Sequence, residues 1–122
     1  MPFYPSIGAG GHCIPVDPIY LASAAKAVGA PSRFIELADQ INQEMPGYFV
    51  GRAEEKLGGL KAKKVLVVGV SYKPNVADTR ETPAELLIDA LEELGAVVSW
   101  NDPVVGNWHG KESAGLNGAE IA

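Results

Sequence analysis

Cys13 is the one cysteine in the 122-residue chain, and it closes a run in which Gly8, Gly10 and Gly11 carry no side chain. Backbone without Cβ atoms lets a ligand lie close against it, and a thiol at the end of such a run is placed as a nucleophile. Asp17 followed by Pro18 reads as a helix start, with the carboxylate as cap and proline at the first helical position. The positive end of a helix favours a thiolate beside it. The alternative is a cysteine that acts as a small inert hydrophobe. A second group of reactive types lies at residues 69–83, where Lys73 and Arg80 stand seven apart in a turn-rich stretch between a strand and a helix. Ligands collect at the carboxyl ends of parallel strands, where both cations could hold phosphate or simply be solvated. The stretch lacks the G-x-G-x-x-G pattern of a dinucleotide site. Asp102, at the end of the second strand, reads equally as a ribose-binding acid or a strand-ending turn and is left unassigned. A thiol hydrolase would need a base beside Cys13, and nothing in the sequence brings His109 to it.

The elements that must position these residues follow from periodicity. Residues 1–16 form a loop dense in proline and glycine. Ile19, Leu21, Ala22, Ala25 and Val28 recur at helical spacing from Asp17, and Gly29 stops the helix. Ser32 can cap a second helix whose apolar stripe runs from Phe34 to Leu57, with a kink or short break expected at Pro46-Gly47. That stripe is longer than one small sheet can cover, so a bridging helix that also packs on a second subunit is expected. After Gly58-Gly59, residues 65–70 are a continuous apolar run, read as a strand buried on both faces. Thr82-Pro83-Ala84-Glu85 starts a helix that reaches Gly95, and residues 96–100 form the next strand. Beyond Pro103 no periodicity is sustained. The fold class is therefore α/β: a helical linker region followed by a partial Rossmann-like parallel βαβ unit. The expected divisions are residues 1–16, 17–59 and 60–122.

Composition bounds the rest. With 47% hydrophobic and 20% charged residues this is an ordinary globular sequence, long enough to bury about 65% of its unfolded surface. A net charge of −5 without clustered Lys or Arg argues against nucleic acid as partner. No apolar run approaches the roughly 20 residues that span a bilayer. A lone cysteine cannot form an internal disulfide, which fits a cytoplasmic location. No metal site is expected. One βαβ unit leaves strand edges unpaired, so the chain reads as a fragment.

GGHCIPVDPIYL, residues 10–21, and YKPNVADTRETPA, residues 72–84, resemble the two signature segments of the UDP-glucose/GDP-mannose dehydrogenase family, and the resemblance extends over residues 3–103. It implies an NAD-dependent oxidation of the C6 alcohol of a nucleotide sugar to a uronic acid through a thiohemiacetal and a thioester. On that resemblance Cys13 is the nucleophile and Asp17 assists it as general base or by orienting water. Tyr4, Gly8 and Gly10 cradle substrate, Tyr72 and Lys73 contact the nucleotide sugar, and Arg80 together with Cys13, Ile14, Pro15 and Val16 meets NAD. His12 is read as loop structure. The family usually has glycine where Ser6 stands, which would strain the turn if positive φ is needed there. The resemblance further implies a homodimer through the long helix, a truncated C-terminal UDP-binding domain over 60–122, and an NAD domain upstream of Met1, without which the chain should not turn over. Residues 32–38 and 41–46 are most similar to the branch acting on UDP-N-acetylhexosamines, with UDP-glucose and GDP-mannose as alternatives. The competing reading from another class is a non-catalytic dimerisation and nucleotide-binding fragment with a structural cysteine.

Overall fold

The computed structural model describes residue 4 and residues 6–116. Its elements follow one another as helices α1 (Asp17–Ala27) and α2 (Arg33–Leu57), strand β1 (Lys64–Val68), helix α3 (Pro83–Glu93), strand β2 (Val97–Asn101) and a short pair β3 (Asn107–Trp108) and β4 (Lys111–Glu112). β1 pairs with β2 in parallel, Val67 opposite Trp100, and α3 crosses between them. The expected βαβ unit is therefore present. The core lies where α3 and the end of α2 cover this sheet, and Val50, Leu60, Val70, Leu91 and Trp100 meet there.

Local chemistry explains most of the boundaries. Thr82 caps α3, its hydroxyl accepting from the Ala84 N–H at 3.3 Å, with Pro83 as the first helical residue. α2 ends at Gly58, whose left-handed backbone (φ 66°) lets the Gly59 N–H return to the Glu54 carbonyl.

Four expectations are corrected. Asp17 does not cap α1: Val16 is the cap residue, without a side-chain bond, and Pro18 takes the second helical position. The Cys13 carbonyl does the work instead, accepting from Val16 N–H at 3.2 Å and Asp17 N–H at 2.9 Å, so a turn runs straight into the helix. Ser32 occupies the cap position of α2, but its side chain makes no cap bond. Of the kink or short break expected at Pro46-Gly47, the break is absent: α2 is continuous through both residues, with Pro46 buried. Proline removes a single donor, and a helix anchored by packing on both sides withstands that loss. β1 is not buried on both faces: only Val67 is fully enclosed and Val68 is 65% exposed.

The stretch after Pro103 also holds more order than periodicity reveals. β3 and β4 pair antiparallel and bring Trp108 edge-on to Trp100, with ring centroids 5.9 Å apart. Val105 is buried in the same core. The start of the chain and residues 117–122 lie outside this description, apart from Tyr4. Among the described residues no helix is long and apolar enough to cross a membrane.

Candidate functional site

The glycine run and the loop after β1, some sixty residues apart in sequence, interlock. Gly11 is buried with φ +99°, and a Cβ there would lie 2.8 Å from Cε2 of Tyr72. Only glycine allows both that backbone angle and that approach of the ring. A Cβ on Gly10 would meet the Glu81 carbonyl at 2.6 Å and Pro83 Cδ at 2.7 Å. The cysteine loop therefore lies flat against both ends of the stretch that carries Tyr72, Lys73 and Arg80, and α3 begins at that contact.

Cys13 is exposed at the rim of this junction, directly before the turn into α1. Its Sγ is 4.0 Å from His12 Nδ1. Asp17 is exposed at the first helical position, four residues on. Ser6 makes a local turn in which its hydroxyl donates to the Gly8 carbonyl at 3.0 Å.

Arg80 turns back onto its own loop. Its guanidinium grips the Asp78 carboxylate, with Nη2 to Oδ2 at 2.6 Å and Nε to Oδ1 at 3.0 Å, and its backbone N–H adds a third donor. The Arg80 side chain, then its backbone N–H, hold the Asp78 carboxyl down to about 2. The same ion pair raises the Arg80 guanidinium further above its ordinary value, and Tyr72 and Cys13 are near enough to act on its charge. The guanidinium remains 64% exposed, so it can meet an anion as well.

Asp102 holds the base of the site. It is 5% exposed and accepts five hydrogen bonds. Oδ2 takes Val70 N–H at 3.0 Å, Ser71 N–H at 3.1 Å and the Ser71 hydroxyl at 3.1 Å. Oδ1 takes Val104 N–H at 2.9 Å and Val105 N–H at 3.1 Å. Burial opposes its charge, but the N–H groups of Val104, Val70, Ser71 and Val105 outweigh burial and bring the carboxyl down to about 2. Asp102 therefore ties the ends of β1 and β2 together and fixes where the Tyr72 loop departs.

The residues singled out from sequence are thus unevenly gathered. Gly10, Cys13, Tyr72 and Arg80 share one junction. Gly8 touches it through Pro83, whose Cβ would be 3.1 Å from a Cβ at Gly8. Lys73 is exposed on the same loop, its carbonyl accepting from the Ser71 hydroxyl at 3.3 Å. Ile14 faces elsewhere, lining a cavity of about 280 Å³ between α1 and α2 with Ile19 and Phe34, while Pro15 borders both that cavity and the one beside Pro83. Val16 is half-buried at the helix start, and Tyr4 is 81% exposed. His109 is engaged with Glu85 at 3.3 Å and packs on Trp108. Of two organising side chains, sequence reasoning left one, Asp102, unassigned and missed the other, Asn42. Asp102 carries a weak signal, an acid at a strand end before proline. Asn42 on α2 carries none: its Oδ1 accepts from Ala9 N–H at 2.6 Å and its Nδ2 donates to Ala9 O at 3.1 Å.

Comparison with known proteins gives two family-model matches. Residues 1–44 match the central domain of the UDP-glucose/GDP-mannose dehydrogenase family, and residues 66–121 match that family's UDP binding domain. A UDP-N-acetyl-D-mannosamine dehydrogenase of Methanococcus maripaludis is 39% identical over 101 residues, which is 81% of this chain and 23% of the relative. A UDP-glucose 6-dehydrogenase of Bacillus subtilis is 36% identical over 80% of this chain and 21% of its own length. Among solved structures, the UDP-glucose dehydrogenase of Pyrobaculum islandicum superposes with a TM-score of 0.76 at 35% identity, over 80% of this chain and 22% of that one. The NDP-N-acetyl-D-galactosaminuronic acid dehydrogenase of Methanosarcina mazei reaches a TM-score of 0.78 at 31% identity, over 92% of this chain and 26% of that one. The chain thus spans less than a quarter of the length of the two curated relatives described.

Proposed function

We propose, since this chain belongs to the UDP-glucose/GDP-mannose dehydrogenase family, that it supplies the cysteine loop and the UDP-binding loop of an NAD-dependent UDP-sugar 6-dehydrogenase. The observation that carries this is the interlock of Gly10 and Gly11 with Tyr72, which sets an exposed thiol beside a loop bearing Lys73 and Arg80. A nucleotide sugar needs that combination: cationic and aromatic groups for the nucleotide end, and a nucleophile at the sugar end.

In this reading Lys73 holds diphosphate charge and Tyr72 lies along the sugar nucleotide. The backbone of Gly8 and Gly10 meets the hexose on the side away from Tyr72 and Pro83, which fill the space a Cβ would take, with Tyr4 at its edge. Once C6 is at the aldehyde level, the Cys13 thiolate adds to the carbonyl carbon, and the carbonyl oxygen takes a proton to give the thiohemiacetal. Loss of hydride from that carbon and of the proton from its hydroxyl oxygen leaves a thioester. Water, with its proton accepted by Asp17, attacks the thioester carbon; the C–S bond breaks, the thiol is restored and the uronic acid departs. The exposed Arg80 guanidinium and the backbone of Cys13, Ile14, Pro15 and Val16 fit an anionic cofactor edge, and they are the residues here that would hold NAD. Two molecules of NAD supply the hydride acceptor for the two oxidations. The whole enzyme works as a homodimer through α2, whose Phe34, Leu37, Ile41 and Tyr48 are exposed apolar groups on the helix surface. The substrate class is UDP-N-acetylhexosamine, in keeping with residues 32–46.

Calorimetric titration of this chain with UDP, UDP-N-acetylglucosamine and UDP-glucose tests the proposal. Saturable binding of UDP-sugar that is lost in Lys73→Ala supports it, and tighter binding of the N-acetylated sugar supports the substrate class. Titrations without heat for any of the three would overturn it.

A further inference from the structure

We infer that Asn42 is the positioning residue of the cysteine loop. Its carboxamide reads the backbone of Ala9 as a neighbouring strand would, accepting from the N–H at 2.6 Å and donating to the carbonyl at 3.1 Å. The two residues are 33 apart in sequence, so this clamp joins α2 to a segment with no regular structure of its own. Pro46 lies one turn further along α2 and has no N–H, which leaves the Asn42 carbonyl without its helical donor. The glycine run passes at that opening: a Cβ on Gly8 would lie 3.5 Å from both the Asn42 carbonyl oxygen and Oδ1.

The clamp also forms a wall. A cavity of about 300 Å³ bounded by Glu81, Thr82 and Pro83 and the cavity of about 280 Å³ bounded by Ile14, Ile19 and Phe34 share Ala9, Pro15 and Asn42. Tyr72 and Pro83 press on Gly10 and Gly11 from one direction while Asn42 holds Ala9 from another, so Gly8 to Gly11 are fixed between α2 and the start of α3. The placement of Cys13 therefore depends on α2. Its catalytic consequence rests on the reading of Cys13 as nucleophile; the clamp itself does not.

The single cysteine allows a test in the full chain. A nitroxide label on Cys13 reports loop mobility, and amide exchange at Ala9 reports the clamp. In Asn42→Ala, which favours the helix and reaches neither backbone group, the label spectrum narrows and Ala9 exchange rises about tenfold, equivalent to about 1.4 kcal/mol. Asn42→Asp, which keeps the acceptor for Ala9 N–H and sets an anion against its carbonyl, narrows the spectrum to a smaller extent. Leu91→Val, which trims the core elsewhere, lowers overall stability and leaves the label spectrum as in the wild type. An unchanged spectrum and unchanged Ala9 exchange in both Asn42 variants would overturn the inference. A wild-type chain that binds no UDP-sugar would count against the proposed function while leaving this result standing.

Discussion

Replacing Asp102 by asparagine removes the charge that draws together the ends of β1 and β2 while keeping the size of the side chain. The carboxyl, held at about 2 against 3.8 for an unperturbed aspartate, contributes on the order of 2 kcal/mol at neutral pH, because each tenfold in proton affinity is about 1.4 kcal/mol. The sign follows from the depressed value. The contribution is fully present above pH 3.8 and is lost as pH falls towards 2, where the folded state also takes up the proton. Asparagine in addition turns one oxygen into a donor, which faces N–H groups from either Val70 and Ser71 or Val104 and Val105. Asp102→Asn should therefore unfold in urea with on the order of 2 kcal/mol less stability at pH 7. The difference should narrow between pH 4 and pH 2 as the wild type loses its advantage. Emission from buried Trp100, two residues before Asp102, reports the transition. A variant within about 0.5 kcal/mol of the wild type at pH 7, the scatter of ordinary surface substitutions, with the same acid limb, would refute the role assigned to this carboxylate.

Three further outcomes are expected. Gly10→Ala places a methyl group 2.6 Å from the Glu81 carbonyl; the backbone must shift, at about 1–3 kcal/mol, and the Tyr72 ring signals in NMR should move, which unchanged spectra would contradict. Thr82→Ala deletes the bond to Ala84 N–H and should cost α3 about 1 kcal/mol in urea unfolding; no change in midpoint would show that Pro83 suffices. Trp108→Ala removes the edge-on contact with Trp100 and should cost about 2 kcal/mol, because the side chain is half-buried, together with a loss of near-ultraviolet dichroism. Wild-type stability in that variant would mean the β3–β4 pair is an ornament on the core.

The helices and the two parallel strands were legible because their signals are local: a 3.6-residue stripe in α2, the Thr82-Pro83 start of α3, an apolar run in β1. What was illegible depends on distant partners. β3 and β4 are two residues each and hold no period; they form because Trp108 meets Trp100 and Ala114 N–H reaches the Trp100 carbonyl at 2.8 Å. Pro46 signals a break, yet its helix is held on both sides by packing. Asp17 has the chemistry of a cap, but the Cys13 carbonyl reaches the first turn before any side chain is needed. In the site, residue types and spacing point to Cys13, Tyr72, Lys73 and Arg80. Their arrangement hangs on Asn42, an ordinary surface amide by sequence, and on Asp102, whose five donors come from both strand ends. The Asp78–Arg80 pair was likewise hidden, since two residues of opposite charge in a loop carry no sign of whether they will meet.

The most direct measurement is the rate of Cys13 alkylation, followed by mass spectrometry of the intact chain, with and without UDP-N-acetylglucosamine. Protection by the sugar nucleotide that is lost in Lys73→Ala is the result expected if the thiol and the UDP loop form one site. An alkylation rate that saturating UDP-sugar leaves untouched would contradict it, and would leave Cys13 outside the substrate groove.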